Sequence, residues 1–240
     1  EATGEYLNFM DSDDWVEPCM IEEMQAHLTG TCREIITCDY VIEKEEKGKK
    51  YSWQGLAPGE YTGEQLKEKV RYHILGEENR RITFSRCMKL YSRELVINNL
   101  RFCDRDVRMG DDSLMVIPAV LDCERIVVLD HKAYYHYRYV ETSIVHGYDR
   151  EMFHNMQLLK AATARIVEEK YLPEEKEIMK RKVEQEYIHM LLLVLKNEAR
   201  GNPSSYRKNI RQICKLPQTR QAVKENPVTV SYTHLRAHET

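Results

Sequence analysis

The chain has 240 residues, 42% of them hydrophobic and 31% charged, an ordinary balance for one large folded domain or a domain with an appendage. A formal net charge of -3 gives no argument for a nucleic-acid partner, and the longest apolar run, Met190–Leu195, is far short of the ~20 residues that cross a bilayer. The seven cysteines are odd in number, scattered and without a C-x-x-C pair, which argues against a disulfide framework or a zinc site and suits reduced thiols in a cytosol.

The first stretch, Gly4–Trp15, reads as a short apolar strand (Tyr6–Met10) that runs directly into three carboxylates, Asp11, Asp13 and Asp14. Pro18 then marks a first helical turn, with Met20, Ile21, Met24 and Leu28 on one face and Gly30 as a C-cap. Carboxylates between a strand and a helix lie where open α/β sheets place their ligands. Asp11 and Asp13 alternate along the chain, so a turn after Met10 is needed to aim both at one point. Such crowding is stabilised by a cation, and hard oxygen ligands suit Mg²⁺ or Mn²⁺. An acidic loop that caps a helix in water is the competing reading.

Glu34–Ile42 is rich in β-branched residues and predicts a strand, returning through a charged turn to Tyr51–Trp53. Thr62-Gly63-Glu64-Gln65 has capping-box spacing, followed by Leu66, Val70 and Ile74 on one helix face that stops near Gly76. Arg80–Phe102 combines a short extended piece with a helix over Ser92–Asn98; its Arg86 and Lys89 either face an anionic ligand or are solvated. Gly110 then makes a tight turn, and Asp111, Asp112 and Ser113 open an apolar helix that runs to Leu121. The helix dipole alone accounts for acidic residues at that end, and it favours their charged form. A role as proton acceptor therefore rests on position and partial burial.

Arg125–Leu129 and Ala133–Arg138 read as two extended segments, with Arg138 placed to contact a diphosphate or to form a surface ion pair, and His136 as a packed histidine. From Tyr148 on the pattern is helical. One stripe runs through Met152, Met156, Leu159, Thr163 and Ile166; a second starts at Pro173 and includes Ile178, Val183, Tyr187, Leu191 and Val194; a third helix begins near Ser204. Seven basic and no acidic residues lie between Arg200 and Lys224, a pattern for an anionic membrane surface or for a solvated face. Val230–Thr240 resembles a translated sequencing adapter and is set aside from fold reasoning.

The ordered set GEYLNFMDSDDWVEP, CMKLYSRELVINNLRF, RMGDDSLM and VVLDHKAYYHYRYVETSI resembles the bacterial family 2 glycosyltransferases of the GT-A fold. The resemblance spans roughly residues 1–146 and implies an α/β fold: a partial GT-A domain over 1–146 whose nucleotide-binding amino-terminal half is expected before Glu1, a helical extension over 147–216, and a disordered tail over 217–240. It further implies an inverting transferase that moves a sugar from a nucleotide diphosphate, UDP first, to a glycan or lipid-linked hydroxyl acceptor in cell-surface polysaccharide synthesis. The expected setting is cytoplasmic, at the inner face of the membrane. Asp13, with Asp11, falls on the metal-binding D-x-D, and Asp112 on the aspartate of G-E-D that serves as general base. Asp11, Asp14, Asp111 and Arg138 fall among substrate-binding positions. Asp111 stands where the family has Glu, Cys87-Met88 where it has Asn before Lys89, and His136 where it has Tyr. The alternative is a non-catalytic module that docks a partner or a membrane surface through its helical tail.

Overall fold

The structure, a computed structural model, describes residues 2–44, 48–139, 147–201 and 204–226. Its spine is the parallel pair β3 (Glu34–Lys44) and β7 (Arg125–Tyr139), paired from Glu34↔Arg125 to Lys44↔Tyr139 with register shifts between Thr37 and Tyr40. The sheet order is β1–β6–β3–β7–β2, with β1 at Tyr6–Asn8, β2 at Trp15–Val16 and β6 at Lys89–Ser92. Two further strands, β4 (Gly48–Ser52) and β5 (Gly59–Thr62), pair with β3 and β7. Every pairing except β3–β7 is antiparallel, so the sheet is mixed.

Alternation along the two central strands sends side chains into two cores. Ile35, Ile126 and Val128 meet α2 (Gly63–Lys69), α3 (Arg93–Asn99) and α4 (Asp111–Asp122). Ile36, Val127 and Leu129 meet Met20 and Met24 of α1 (Met20–Gln25). The first core continues without a gap into Leu159, Ile166 and Val167 of α5 (Met152–Lys170) and Met179 and Val183 of α6 (Pro173–Gly201). The helices beyond residue 147 therefore share a core with the sheet.

Several local expectations change. Helix α1 is shorter than its apolar pattern suggests: Ile21 is exposed, the helix ends at Ala26, and Gly30 sits in a later turn with φ 67°. Leu66, Val70 and Ile74 are buried as their spacing requires, but α2 ends at Lys69 and a 3-10 turn over Arg71–His73 completes the descent. The two extended segments predicted around residue 130 are one strand with a bulge, where His131 takes φ 48°. Ile178 points to solvent because α6 presents Met179 and Val183 to the core. After α7 (Tyr206–Lys215) the chain is not a tail but forms α8 (Pro217–Glu225), with Thr219 and Ala222 buried. Pro217 at its first turn is a start signal that the charged composition obscured. The basic side chains of both helices, among them Arg207, Arg211, Lys215 and Arg220, are exposed. The Thr142-Ser143-Ile144 segment and the residues from Val230 on lie outside the described residues.

One buried ion pair pins the start of the spine. Arg125 Nη1 donates to Glu34 Oε2 at 2.7 Å and to the His27 carbonyl at 2.8 Å, while its Nη2 reaches Glu60 Oε2 at 2.8 Å. Glu34 also accepts from Tyr6 Oη, Thr29 N and Gly30 N, at 2.8, 3.0 and 3.0 Å. Burial pushes the Glu34 carboxyl up, but the bonds from Gly30, Tyr6, Thr29 and Arg125 outweigh it and hold the group below the usual carboxylate range. Removing one partner of a buried pair strands the other charge. Arg125→Met is expected to lower the unfolding free energy by about 3–5 kcal/mol in urea titrations at neutral pH. Because the folded pKa of Glu34 is depressed, its contribution is present above the unfolded value and is lost as pH falls through the folded one. The gap between variant and wild type should therefore narrow on acidification, and a constant gap would contradict this account.

Candidate active site

The acidic stretch after β1 is a closed turn, with Asp14 N donating to the Asp11 carbonyl at 3.2 Å. Asp11, Ser12 and Asp13 are exposed and Asp14 is half-buried. Both Asp14 oxygens are engaged: Tyr135 Oη donates to Oδ2 at 2.6 Å and Arg138 N donates to Oδ1 at 2.9 Å. The same Tyr135 oxygen accepts from Asp11 N at 3.2 Å. Burial raises the Asp14 pKa, the bonds from Tyr135 and Arg138 oppose it, and the charges of Asp13 and Asp11 add to it. Asp14, expected among the substrate-binding groups, thus holds the turn. Asp11 and Asp13 are left facing outward, with no hydrogen bond or ion pair to either carboxylate among the described residues.

Strand β2 clamps the turn from its far side. Trp15 pairs with His136 across the strands and stacks on its ring at 3.5 Å. Buried His136 lies between Glu43 and Glu17, each ring nitrogen 3.0 Å from a carboxylate oxygen. Tyr135 and Tyr137 leave β7 on the side of the acidic turn. By alternation His136 and Arg138 leave on the other. The main-chain N–H of Arg138 reaches Asp14, and its side chain is exposed.

The second acidic pair opens α4. Gly110, at φ 79°, precedes it; the backbone angle favours glycine, and a Cβ there would lie 2.7 Å from Leu159 Cδ2, which would have to turn aside. Asn155 of α5 grips the same loop: its Oδ1 accepts from Arg108 N at 2.6 Å and Met109 N at 3.3 Å, and its Nδ2 donates to Met109 O at 2.9 Å. Asp112 is half-buried and meets Arg86, whose N donates to Oδ2 at 3.2 Å and whose Nε lies 3.1 Å from Oδ1. Arg86 Nη1 is also 3.8 Å from Asp111 Oδ2. Burial raises the Asp112 pKa; Arg86 opposes it, and the charges of Asp111 and Asp11 push it further up. The Asp11 charge is felt at Asp112, Arg86 and Cys87. The two acidic stretches thus face one locality, joined by the Arg86–Cys87 segment.

Sequence reasoning singled out Asp11, Asp13 and Asp112 but missed Tyr135 and Asn155. Asn155 carried a visible signal, since it interrupts the apolar stripe of α5 beside Met152, Met156 and Leu159. Arg86, left open between an anionic ligand and solvent, is an ion-pair partner of the α4 carboxylates. Arg86→Met is expected to move the Asp112 pKa further upward, because Arg86 favours the ionised form. A carboxyl-carbon NMR titration reads this directly, and an unmoved midpoint would remove Arg86 from the account.

A mixed α/β sheet with carboxylates on the loops around it defines the class: a GT-A type fold. Among solved structures, S. aureus TarS 1–349 in complex with UDP-GlcNAc aligns with 93% of this chain and 57% of its own, at 18% identity and TM-score 0.57. That likeness concerns the fold. Residues 1–99 match the sequence family Glycosyl transferase family 2. Two Bacillus subtilis (strain 168) proteins are similar along more of the chain. "Uncharacterized glycosyltransferase EpsJ" is 26% identical over 235 residues, 94% of this chain and 64% of that protein. "Putative glycosyltransferase EpsH" is 28% identical over 170 residues, 70% and 47% respectively. The chain therefore spans less than two thirds of the curated relatives it matches. No helix among the described residues is long and apolar enough to cross a membrane.

Proposed function

We propose that the protein is an inverting, metal-assisted glycosyltransferase that moves a sugar from a nucleotide diphosphate, UDP first, to a hydroxyl acceptor. The observation that carries this reading is the approach of two sets of carboxylates, one free and exposed, the other half-buried with a raised pKa, within electrostatic reach of each other. UDP is the nucleotide to test first because the similarly folded TarS was solved with UDP-GlcNAc.

The donor set suits a hard divalent cation. Among the described residues no three His, Cys, Asp or Glu side chains gather as an all-protein cage; Asp13 and Asp11 would hold a cation, completed by ligands other than side chains, as is common for Mg²⁺. When bound, Mg²⁺ or Mn²⁺ supplies charge neutralisation for the departing diphosphate. The residues of the chain do the rest. Tyr135 and the Arg138 N–H hold Asp14, which fixes the turn presenting Asp11 and Asp13. Asp112 accepts the proton of the acceptor hydroxyl as its oxygen bonds to the anomeric carbon, and the bond to the diphosphate breaks with its electron pair leaving on phosphate. Arg86 holds the Asp112 carboxylate in place, and Asn155 holds the loop that precedes it. A raised base pKa moves the acid limb of the rate profile upward from where an unperturbed aspartate would put it. The acceptor, a glycan or a lipid-linked sugar, is set by surfaces beyond these side chains.

The reading is tested by calorimetric titration of UDP, then GDP, with and without Mn²⁺. One nucleotide is expected to bind in a metal-dependent way, and Asp13→Ala to abolish the metal-dependent part; unchanged binding removes Asp13 as ligand. Asp112→Asn is expected to leave donor binding intact while turnover falls by about 10²–10⁴. Full turnover in that variant rules Asp112 out as base. The competing module reading gains only from a folded protein that binds no nucleotide.

A further inference from the structure

Lys89 is a lysine with no exposed surface, on a central strand beneath the candidate site. Among the described residues its Nζ has one hydrogen-bond partner, the Ser85 carbonyl, at 2.6 Å. An ammonium carries three donors, and burying it with one acceptor is costly; burial pushes Lys89 down to about 7. A core strand position filled this way calls for a role beyond packing.

The segment that Lys89 holds, Ser85–Met88, is the one that joins the two halves of the site. Arg86 contacts Asp112 through both its N–H and its guanidinium. The next residue, Cys87, lies beside the hydroxyl of Tyr135, the group that fixes Asp14 and Asp11 N. Met88 then takes the left-handed region, φ 55°, where a non-glycine residue persists only if its surroundings over-determine it. They do: the Met88 carbonyl accepts from Cys38 N at 3.1 Å and Thr37 Oγ1 at 3.3 Å, Ser85 Oγ accepts from Cys87 N at 3.2 Å, and Tyr91 Oη donates to the Arg86 carbonyl at 3.3 Å.

We propose that Lys89 is a positioning residue: by tethering the Ser85 carbonyl from below, it sets where Arg86 meets Asp112 and where Cys87 meets Tyr135, and so fixes the spacing between the base and the acidic turn. The inference rests on the reading of Asp112 as base. Asp112 is faced by Arg86, Cys87, Lys89 and Tyr91 from β6 and the segment before it, by Asp111 of α4, by Asp11 of the turn, and by Cys103. Of these, Arg86 is the group whose contact the tether controls.

The test is a double-mutant cycle on sugar transfer with Lys89→Met and Arg86→Gln, each protein first checked for folding by circular dichroism. Lys89→Met alone is expected to lower kcat about 10- to 100-fold, as misplacement near 1 Å does, and to move the acid limb of the kcat profile upward as Asp112 loses Arg86. In the Arg86→Gln background the same change should cost little, since Lys89 acts through Arg86. A folded Lys89→Met enzyme with unaltered kcat and acid limb overturns the proposal, as does a loss that simply multiplies that of Arg86→Gln. Should Lys89→Met fail to fold, Tyr91→Phe removes another hold on the same segment, at the Arg86 carbonyl, and is scored by the same cycle. An active Asp112→Asn variant would instead sink the base reading itself, which separates the two failures.

Discussion

The parallel pairing of β3 with β7 is the constraint on which the rest of the structure depends. The two strands are far apart in sequence, and their register is pinned at one end by the buried Arg125–Glu34 pair. Once that register is set, the other end of β7 delivers Tyr135 and the Arg138 N–H to the acidic turn. A slip of one residue would exchange Tyr135 for His136 and turn the hydroxyl away from Asp14. The charge pair at the base of the sheet and the candidate chemistry at its top therefore lie on the same strand pair, on either side of its bulge.

Around this spine the site is assembled from segments that have no strong local reason to meet. The turn after β1 supplies two exposed carboxylates, the start of α4 supplies a half-buried one, and the segment before β6 lies between them. The division of labour among the acidic residues follows from solvent. Asp11 and Asp13 are exposed to solvent, whereas Asp14 and Asp112 are partly withdrawn from water, and each carries hydrogen bonds that offset its burial. Two environments give two roles to one chemical group.

The helical extension contributes to the site rather than merely following it. Asn155 satisfies three main-chain groups of the loop before α4, and the Leu159 side chain packs against Gly110 there. The apolar faces of α5 and α6 complete the core that α4 packs into. Any displacement of that hairpin would be felt at the Asp111–Asp112 end of α4, because interiors packed to high density transmit shifts.

Read alone, the sequence determined most of the elements and the candidate carboxylates, because those depend on short-range patterns. β-Branched runs marked β3, a glycine before acidic residues marked the start of α4, and methionine and leucine stripes marked α5 and α6. It could not end α1 correctly, unite the two halves of β7 or find α8, since burial against distant residues overrides propensity at element ends. Only the tertiary structure decided which aspartate is spent on holding the turn and which arginine meets Asp112. Tyr135 and Asp14 are 121 residues apart, and Arg108 and Asn155 are 47 apart. Contacts of that range are set by strand register and helix docking, which no local pattern of residues encodes.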